Sequence, residues 1–154
     1  MSTVPAQTLD VGWVALAALF FGPGAVAGLL CAPFLLAERL RALFRALPPG
    51  EAVVVPYAAA ALVGSLPYVA GTLLVLSETA DAARGAAASN ALFGLIVALS
   101  VCYVVGVPLL AGVDWDPTGY GPGTWALLGG LGAAYATVFT LPLVLFALVL
   151  ALPT

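Results

Sequence analysis

Four long apolar runs occupy most of the chain, and short polar segments separate them. The runs cover residues 11–37, 52–77, 86–113 and 124–152. Charged or turn-forming segments bound them, including SETADAARG after the second run and DWDPTGYGPG after the third. About 20 apolar residues in a helix cross the roughly 30 Å core of a bilayer. Backbone groups in lipid must find their hydrogen bonds within the segment, so the pattern predicts four transmembrane helices.

The composition agrees with a membrane environment. Hydrophobic residues make up 64% of the chain and charged residues 7%, with a mean hydropathy of +1.18. Soluble domains contain about 25% charged residues. A chain this apolar cannot cover its surface with polar groups, so we expect an all-α integral membrane protein. No long polar segment remains for a soluble domain, and we predict a single membrane domain over residues 1–154.

The two halves of the chain match each other in their proline positions. The shift along the chain that places Pro33 on Pro108 also places Pro67 on Pro142, and it aligns APFLLA with VPLLAG and VGSLPYV with VFTLPLV. We call this the half-chain shift. Two spans in each half would leave both halves in the same orientation, as a parallel repeat. The match indicates two tandem helical hairpins, although the arginine-rich segment after the first span does not repeat.

Three of the four basic residues of the chain, Arg39, Arg41 and Arg45, lie between the first two spans. The fourth, Arg84, lies between the second and third spans. Basic residues that flank membrane spans favour the cytoplasmic side. We therefore predict a multi-pass protein of the cell membrane with both termini outside and the arginine segment in the cytoplasm.

The arginine segment, ERLRALFRALPPGE at residues 38–51, is also predicted to form a short amphipathic helix. Its apolar residues recur with helical spacing on one face: Leu40, Leu43, Phe44 and Leu47. We expect this stripe to face lipid at the membrane interface, with the three arginines directed at anionic headgroups. Docking of a partner protein and recognition of an anionic solute are the alternatives.

Small residues and a proline distinguish the first and fourth spans. Pro23 lies within FFGPG near the middle of the first span, which predicts a kink. Gly24 and Gly28 are four residues apart, and Gly129 and Ala133 repeat this spacing in the fourth span. Such spacing allows close contact between helices. We interpret both pairs as packing surfaces, toward helices of this protein or of a partner.

Groups that carry catalysis or bind cofactors are scarce. The chain contains no His and no Lys, which removes the commonest metal and haem ligand and the usual catalytic base. Every Asp, Glu and Arg lies at the end of a span or in a loop, and the two cysteines lack the spacing of a metal site. We predict a non-catalytic protein without a cofactor, a metal site or a nucleic-acid partner.

Hydroxyl groups are the main polar groups inside the spans. Ser65, Tyr68 and Thr140 lie beside Pro67 and Pro142. Because a proline leaves a backbone carbonyl without a donor, these hydroxyls and carbonyls are candidates for a small polar cavity. The alternative is that each hydroxyl bonds to its own helix or to a neighbouring one.

Three features of the composition resemble those of known proteins. The chain is rich in Ala, Val, Leu and Gly, has no Lys, and carries an acidic net charge of −3. Together with the loop DWDPTGYGPGTW, this composition resembles that of small polytopic membrane proteins of halophilic archaea. The resemblance implies a membrane location and no characterised activity.

Two classes of function remain. The absence of catalytic groups and the presence of small-residue surfaces favour an accessory or assembly subunit, which forms a homo-oligomer or packs with larger membrane proteins. The paired prolines, the break at FGPG and the duplication favour the alternative, a small oligomeric transporter or channel for an unknown solute.

Overall fold

A computed structural model of the chain describes residues 6–47, 52–78, 85–109 and 122–152, with side chains described from residue 12 onward. The described elements are helices: α1 (Ala6–Cys31), a 3-10 segment (Ala32–Leu36), α2 (Glu38–Ala46), α3 (Val54–Glu78), α4 (Gly85–Val101) and α5 (Pro122–Ala151). Helix α4 continues through a π-helical turn, Cys102–Gly106, and its span reaches Leu109. We use α4 for this whole span.

Four of the described helices are long and apolar enough to cross a membrane. They cover Gly12–Leu36, Val54–Glu78, Gly85–Leu109 and Pro122–Ala151. This confirms the predicted all-α fold with four membrane-spanning helices. The predicted end of the third span at 110–113, the acidic loop that follows it and Arg84 lie outside the described residues.

Helix α1 packs on α3 through small residues. A Cβ atom added to Gly24 would lie 2.8 Å from the carbonyl oxygen of Ala61, and one added to Gly28 would lie 2.9 Å from the Ala61 side chain. The Tyr57 hydroxyl donates a 2.6 Å hydrogen bond to the carbonyl oxygen of Gly28. This carbonyl lies near the end of α1, where regular helical bonding stops. The two glycines therefore bring the backbones of α1 and α3 together.

Helix α4 packs on α5 in a corresponding way, at its π-helical turn. Pro108 has no N–H to offer the carbonyl groups of the preceding turn, and two of these, Tyr103 and Val104, face α5. A Cβ atom added to Gly132 would overlap the carbonyl of Tyr103, and one added to Gly129 would lie 3.6 Å from the carbonyl oxygen of Val104. The absent side chains of the two glycines leave room for these carbonyls.

The two packing contacts are related by the half-chain shift. This shift converts the contact between Gly28 and Tyr57 into the contact between Tyr103 and Gly132. The contacts of α1 with α3 and of α4 with α5 are the two most extensive, and those of α3 with α4 and of α1 with α5 are smaller. Two hairpins related by a two-fold axis along the bundle would produce this pattern.

The α1–α3 contact can be tested with a matched pair of substitutions. Gly24→Ala is expected to lower the free energy of unfolding by about 1–3 kcal/mol, because the added methyl overlaps Ser65 and the α3 backbone. Gly22→Ala, two residues away, meets no atom within 4 Å and is expected to be neutral or stabilising. Thermal unfolding in detergent measures both variants, and equal shifts would contradict the contact.

Candidate functional site

A cavity of about 380 Å³ lies between the spans, at the end of the bundle that α2 crosses. Its volume falls within the range of small-molecule sites, about 300–1,000 Å³. Its walls are almost entirely apolar and come from all five α-helices. The lining residues are Cys31, Leu40, Leu43, Phe44, Leu47, Tyr57, Ala60, Ala61, Tyr103, Val107, Leu128, Leu131, Gly132 and Tyr135.

Helix α2 closes this end of the cavity with its apolar stripe. Leu40 and Leu43 are 0% and 1% exposed and pack against Leu128 of α5. The ring of Phe44 meets Tyr57 of α3 edge to face, with centroids 5.3 Å apart. The expectation that this stripe faces lipid is therefore wrong. An amphipathic pattern predicts that one face is buried, but it does not specify whether lipid or protein covers that face.

The three arginines of α2 lie outside the cavity. Arg41 and Arg45 both pair with Glu38 of the same helix, the latter at 3.5 Å. Arg39 extends to the start of α5, where its Nη1 donates a 3.4 Å hydrogen bond to Oγ1 of the buried Thr124. Arg39 thus links α2 to α5, while the contact of the three arginines with headgroups stays a prediction.

Four aromatic rings end the cavity on the side away from α2. Tyr103 stacks on Tyr135 with centroids 5.5 Å apart, and Tyr68 stacks on Phe139 at 4.6 Å. Contacts between Tyr68 and Tyr103 at 5.6 Å and between Tyr135 and Phe139 at 5.3 Å complete a closed ring. Tyr103 and Tyr135 line the cavity, whereas Tyr68 and Phe139 lie further along α3 and α5 and do not. We call these four rings the aromatic layer.

The tyrosines that line the cavity use their hydroxyl protons in bonds to backbone carbonyls of other helices. Tyr135 donates a 2.5 Å hydrogen bond to Ala61 of α3, and Tyr103 donates to Gly64 of the same helix. Tyr57 bonds to α1, as described above. Since polar groups in lipid need internal partners, these bonds stabilise the bundle. They also leave the cavity walls with aromatic rings and aliphatic groups rather than free donors.

The group of Ser65, Tyr68 and Thr140 does not line this cavity. The Ser65 hydroxyl donates to a carbonyl of its own helix at 2.7 Å and lies 3.4 Å from the carbonyl oxygen of Phe20 in α1. The Thr140 hydroxyl instead lies 3.4 Å from the hydroxyl of Ser100 in α4, and the ring of Tyr68 lies 5.6 Å from the ring of Tyr103 in the same helix. Among the described residues, the buried Tyr68 hydroxyl has no hydrogen-bond partner. The structure therefore directs Ser65 toward α1 and the other two toward α4.

The prolines lie inside continuous helices, and two of them face outward. Pro23 is part of α1, Pro67 of α3 and Pro142 of α5. Pro67 and Pro142 are exposed, and a carbonyl freed by a proline lies on the same face one turn earlier. The carbonyl freed by Pro67 is that of the exposed Val63, whereas the one freed by Pro142 is that of Val138, which packs against the core.

The small-residue pairs are used largely inside the bundle. Gly24 and Gly28 contact α3, and Gly129 contacts α4. Ala133 is partly buried, and its carbonyl accepts a 2.7 Å hydrogen bond from Thr137 of the next turn. These residues accordingly account for the folding of the chain and leave little surface for a partner.

The sequence interpretation did not single out Tyr57, Tyr103 and Tyr135 as members of one site. A pattern was available for two of them. The half-chain shift aligns Tyr57 with Gly132 and Tyr103 with Gly28, so that large and small residues exchange places between the halves. In the first half the Tyr57 hydroxyl bonds to the carbonyl of Gly28, and in the second half the backbone carbonyl of Tyr103 lies against Gly132. An exchange of this kind indicates a close contact that both halves share.

The chain belongs to the family described as Domain of unknown function (DUF8162), which matches residues 11–154. The match includes the four spans, α2 and the whole lining of the cavity. No curated protein and no solved structure matches the chain.

Two Tyr→Phe substitutions compare the loss of a hydrogen-bonded hydroxyl with the loss of one that has no partner among the described residues. Tyr135→Phe is expected to lower the free energy of unfolding by about 1 kcal/mol, because the bond to Ala61 is lost. Tyr68→Phe removes a buried hydroxyl without a partner among the described residues and is expected to be neutral or stabilising. Thermal unfolding in one detergent compares them, and a greater loss for Tyr68→Phe would contradict this geometry.

Proposed function

We propose that this protein, a member of the DUF8162 family, is a non-catalytic membrane protein that binds an apolar molecule from the bilayer and acts as a small carrier. The observation that carries the proposal is the cavity between the spans. It is closed by α2 at one end and by the aromatic layer at the other, and its walls are apolar. Apolar walls with few polar groups are typical of sites for small hydrophobic ligands.

The position of the cavity between the two hairpins supports a carrier. Helices α1 and α3 of the first hairpin and α4 and α5 of the second all contribute lining residues. In many transporters built from repeats, the substrate binds at the interface between the repeats. The half-chain shift relates the α1–α3 contact to the α4–α5 contact, so the cavity of this protein also lies between two matching halves.

The chemistry of the walls favours an apolar ligand over an ion or a water-soluble solute. No charged side chain is among the described lining residues. Removing a charge or an unpaired polar group from water without a partner is costly. The phenolic protons of Tyr57, Tyr103 and Tyr135 are already used within the bundle. A hydrocarbon chain needs neither a charged partner nor a hydrogen-bond donor in the cavity wall.

An accessory or assembly role is the second candidate, and one surface favours it. Asn90, Gly94 and Ala98 follow one another at intervals of four on the exposed side of α4. No atom lies within 4 Å of a Cβ atom added to Gly94. A polar side chain exposed in a span is costly, and a second helix with a hydrogen-bonding group reduces that cost. A second copy or a larger membrane protein packed here would supply such a helix.

Native mass spectrometry of the purified protein tests the carrier proposal. The wild type is expected to retain a bound apolar molecule. Leu131→Trp fills the cavity with an indole and is expected to weaken binding about tenfold, equivalent to about 1.4 kcal/mol, so that less ligand is retained. Leu141→Trp, at a position of the same helix that is 62% exposed, is the control and is expected to retain the ligand.

The same spectra distinguish the second candidate. A wild-type monomer without any bound molecule would contradict the carrier proposal. A dimer or a co-purifying membrane protein that is lost in Gly94→Leu would support the assembly role instead, because the larger side chain covers the open surface of α4. A monomer that binds an apolar molecule in both the wild type and Gly94→Leu would argue against assembly.

The orientation is proposed from the distribution of arginines. With Arg39, Arg41 and Arg45 all on α2, we place this helix at the cytoplasmic face near anionic headgroups and both termini outside. In a protein with Cys31→Ser and Cys102→Ser, Arg45→Cys is expected to react with an impermeant thiol reagent from the cytoplasmic side only. Reaction from the outer side alone would reverse the proposed orientation.

A further inference from the structure

We infer that the cavity exchanges its ligand with the bilayer through the seam between α3 and α4, and that Ala60 and Val107 form this entrance. The ligand class that follows is a molecule dissolved in the membrane whose narrow apolar chain passes between two helices. The inference rests on the proposed function, because it describes how the same cavity is reached.

The seam between α1 and α5 is closed at the depth of the cavity. Phe34 lies against α5, with its ring 3.5 Å from the position of a Cβ atom on Gly130. Phe34 also packs against the cluster formed by Leu40, Leu43 and Leu128. Helix α2 thus covers this seam together with the end of the bundle. A ligand cannot pass here without displacing buried leucines.

The half-chain shift identifies the corresponding positions in the seam between α3 and α4. It relates Phe34 to Leu109 and Gly130 to Val55. Leu109 and Val55 are 52% and 56% exposed, so they do not close their seam as Phe34 closes the other one.

The cavity lining reaches the surface at the seam between α3 and α4. Most of the lining is buried or partly buried, but Ala60 of α3 and Val107 of α4 are exposed. The hydrogen bond from Tyr103 to Gly64 joins the same two helices one turn deeper in the membrane and limits the opening on that side. The entrance is therefore short, apolar and bounded by a small residue on α3. An acyl or isoprenyl chain fits an entrance of this kind, whereas a hydrated solute does not.

The two cysteines of the chain provide the test. Cys31 lines the cavity and is 2% exposed, whereas Cys102 is exposed on α4. A long-chain N-alkylmaleimide dissolved in liposomes that contain the protein is expected to label both thiols. Ala60→Trp is expected to lower the rate at Cys31 relative to Cys102 by about tenfold. Ala59→Trp, at the exposed neighbouring position outside the lining, is the control and is expected to leave the ratio unchanged.

Each outcome of this experiment decides a different point. An unchanged ratio in Ala60→Trp would overturn the entrance, as would labelling of Cys31 by a sulfonate-bearing, impermeant thiol reagent as fast as by the alkylmaleimide. Either result leaves the bound fraction in wild type and Leu131→Trp as an independent measure of the cavity proposal. Conversely, a lower ratio in a protein that retains no ligand would support the entrance and contradict the carrier function.

Discussion

The bundle depends on close contact between helix backbones at small residues. In a bilayer, an apolar side chain gains little by exchanging lipid for protein, so spans associate through dispersion forces and polar contacts at short range. Gly24 and Gly28 supply this approach between α1 and α3, and Gly132 supplies it between α4 and α5. The Tyr57 hydroxyl bonds to the Gly28 carbonyl at the first of these contacts, and the hydroxyls of Tyr103 and Tyr135 link α4 and α5 to α3. Close backbone contact at glycine thus occurs once in each half, and the cavity lies between the two halves.

Helix α2 is stabilised in a different way from the spans. It lies beyond the end of the first span, carries charge on its outer faces and buries an apolar stripe, as amphipathic helices of water-soluble proteins do. Its leucines cover the end of the cavity and the seam between α1 and α5. On the seam between α3 and α4, Leu109 and Val55 are exposed at the positions that the half-chain shift relates to Phe34 and Gly130. The seam that α2 covers and the seam between α3 and α4 therefore differ in how far their residues are buried.

The two candidate functions use different parts of the molecule. The carrier proposal uses the interior between the hairpins, with an entrance at Val107 of α4. The assembly proposal uses the outer surface of α4 around Asn90 and Gly94. Helix α4 therefore contributes to both, through opposite ends of the same span.

The sequence by itself determined the elements of this protein: the four spans, the short helix with Leu40, Leu43 and Phe44 on one face, and the relation between the halves. These properties follow from hydropathy and spacing over neighbouring residues. Tertiary structure alone decided that protein covers the α2 stripe, that Ser65 turns toward α1 while Tyr68 turns toward α4, and that Tyr135 bonds to Ala61. Such contacts join residues distant in the chain. Because lipid and protein interior are similarly apolar, a hydrophobic pattern marks a face for burial without specifying which of them will cover it.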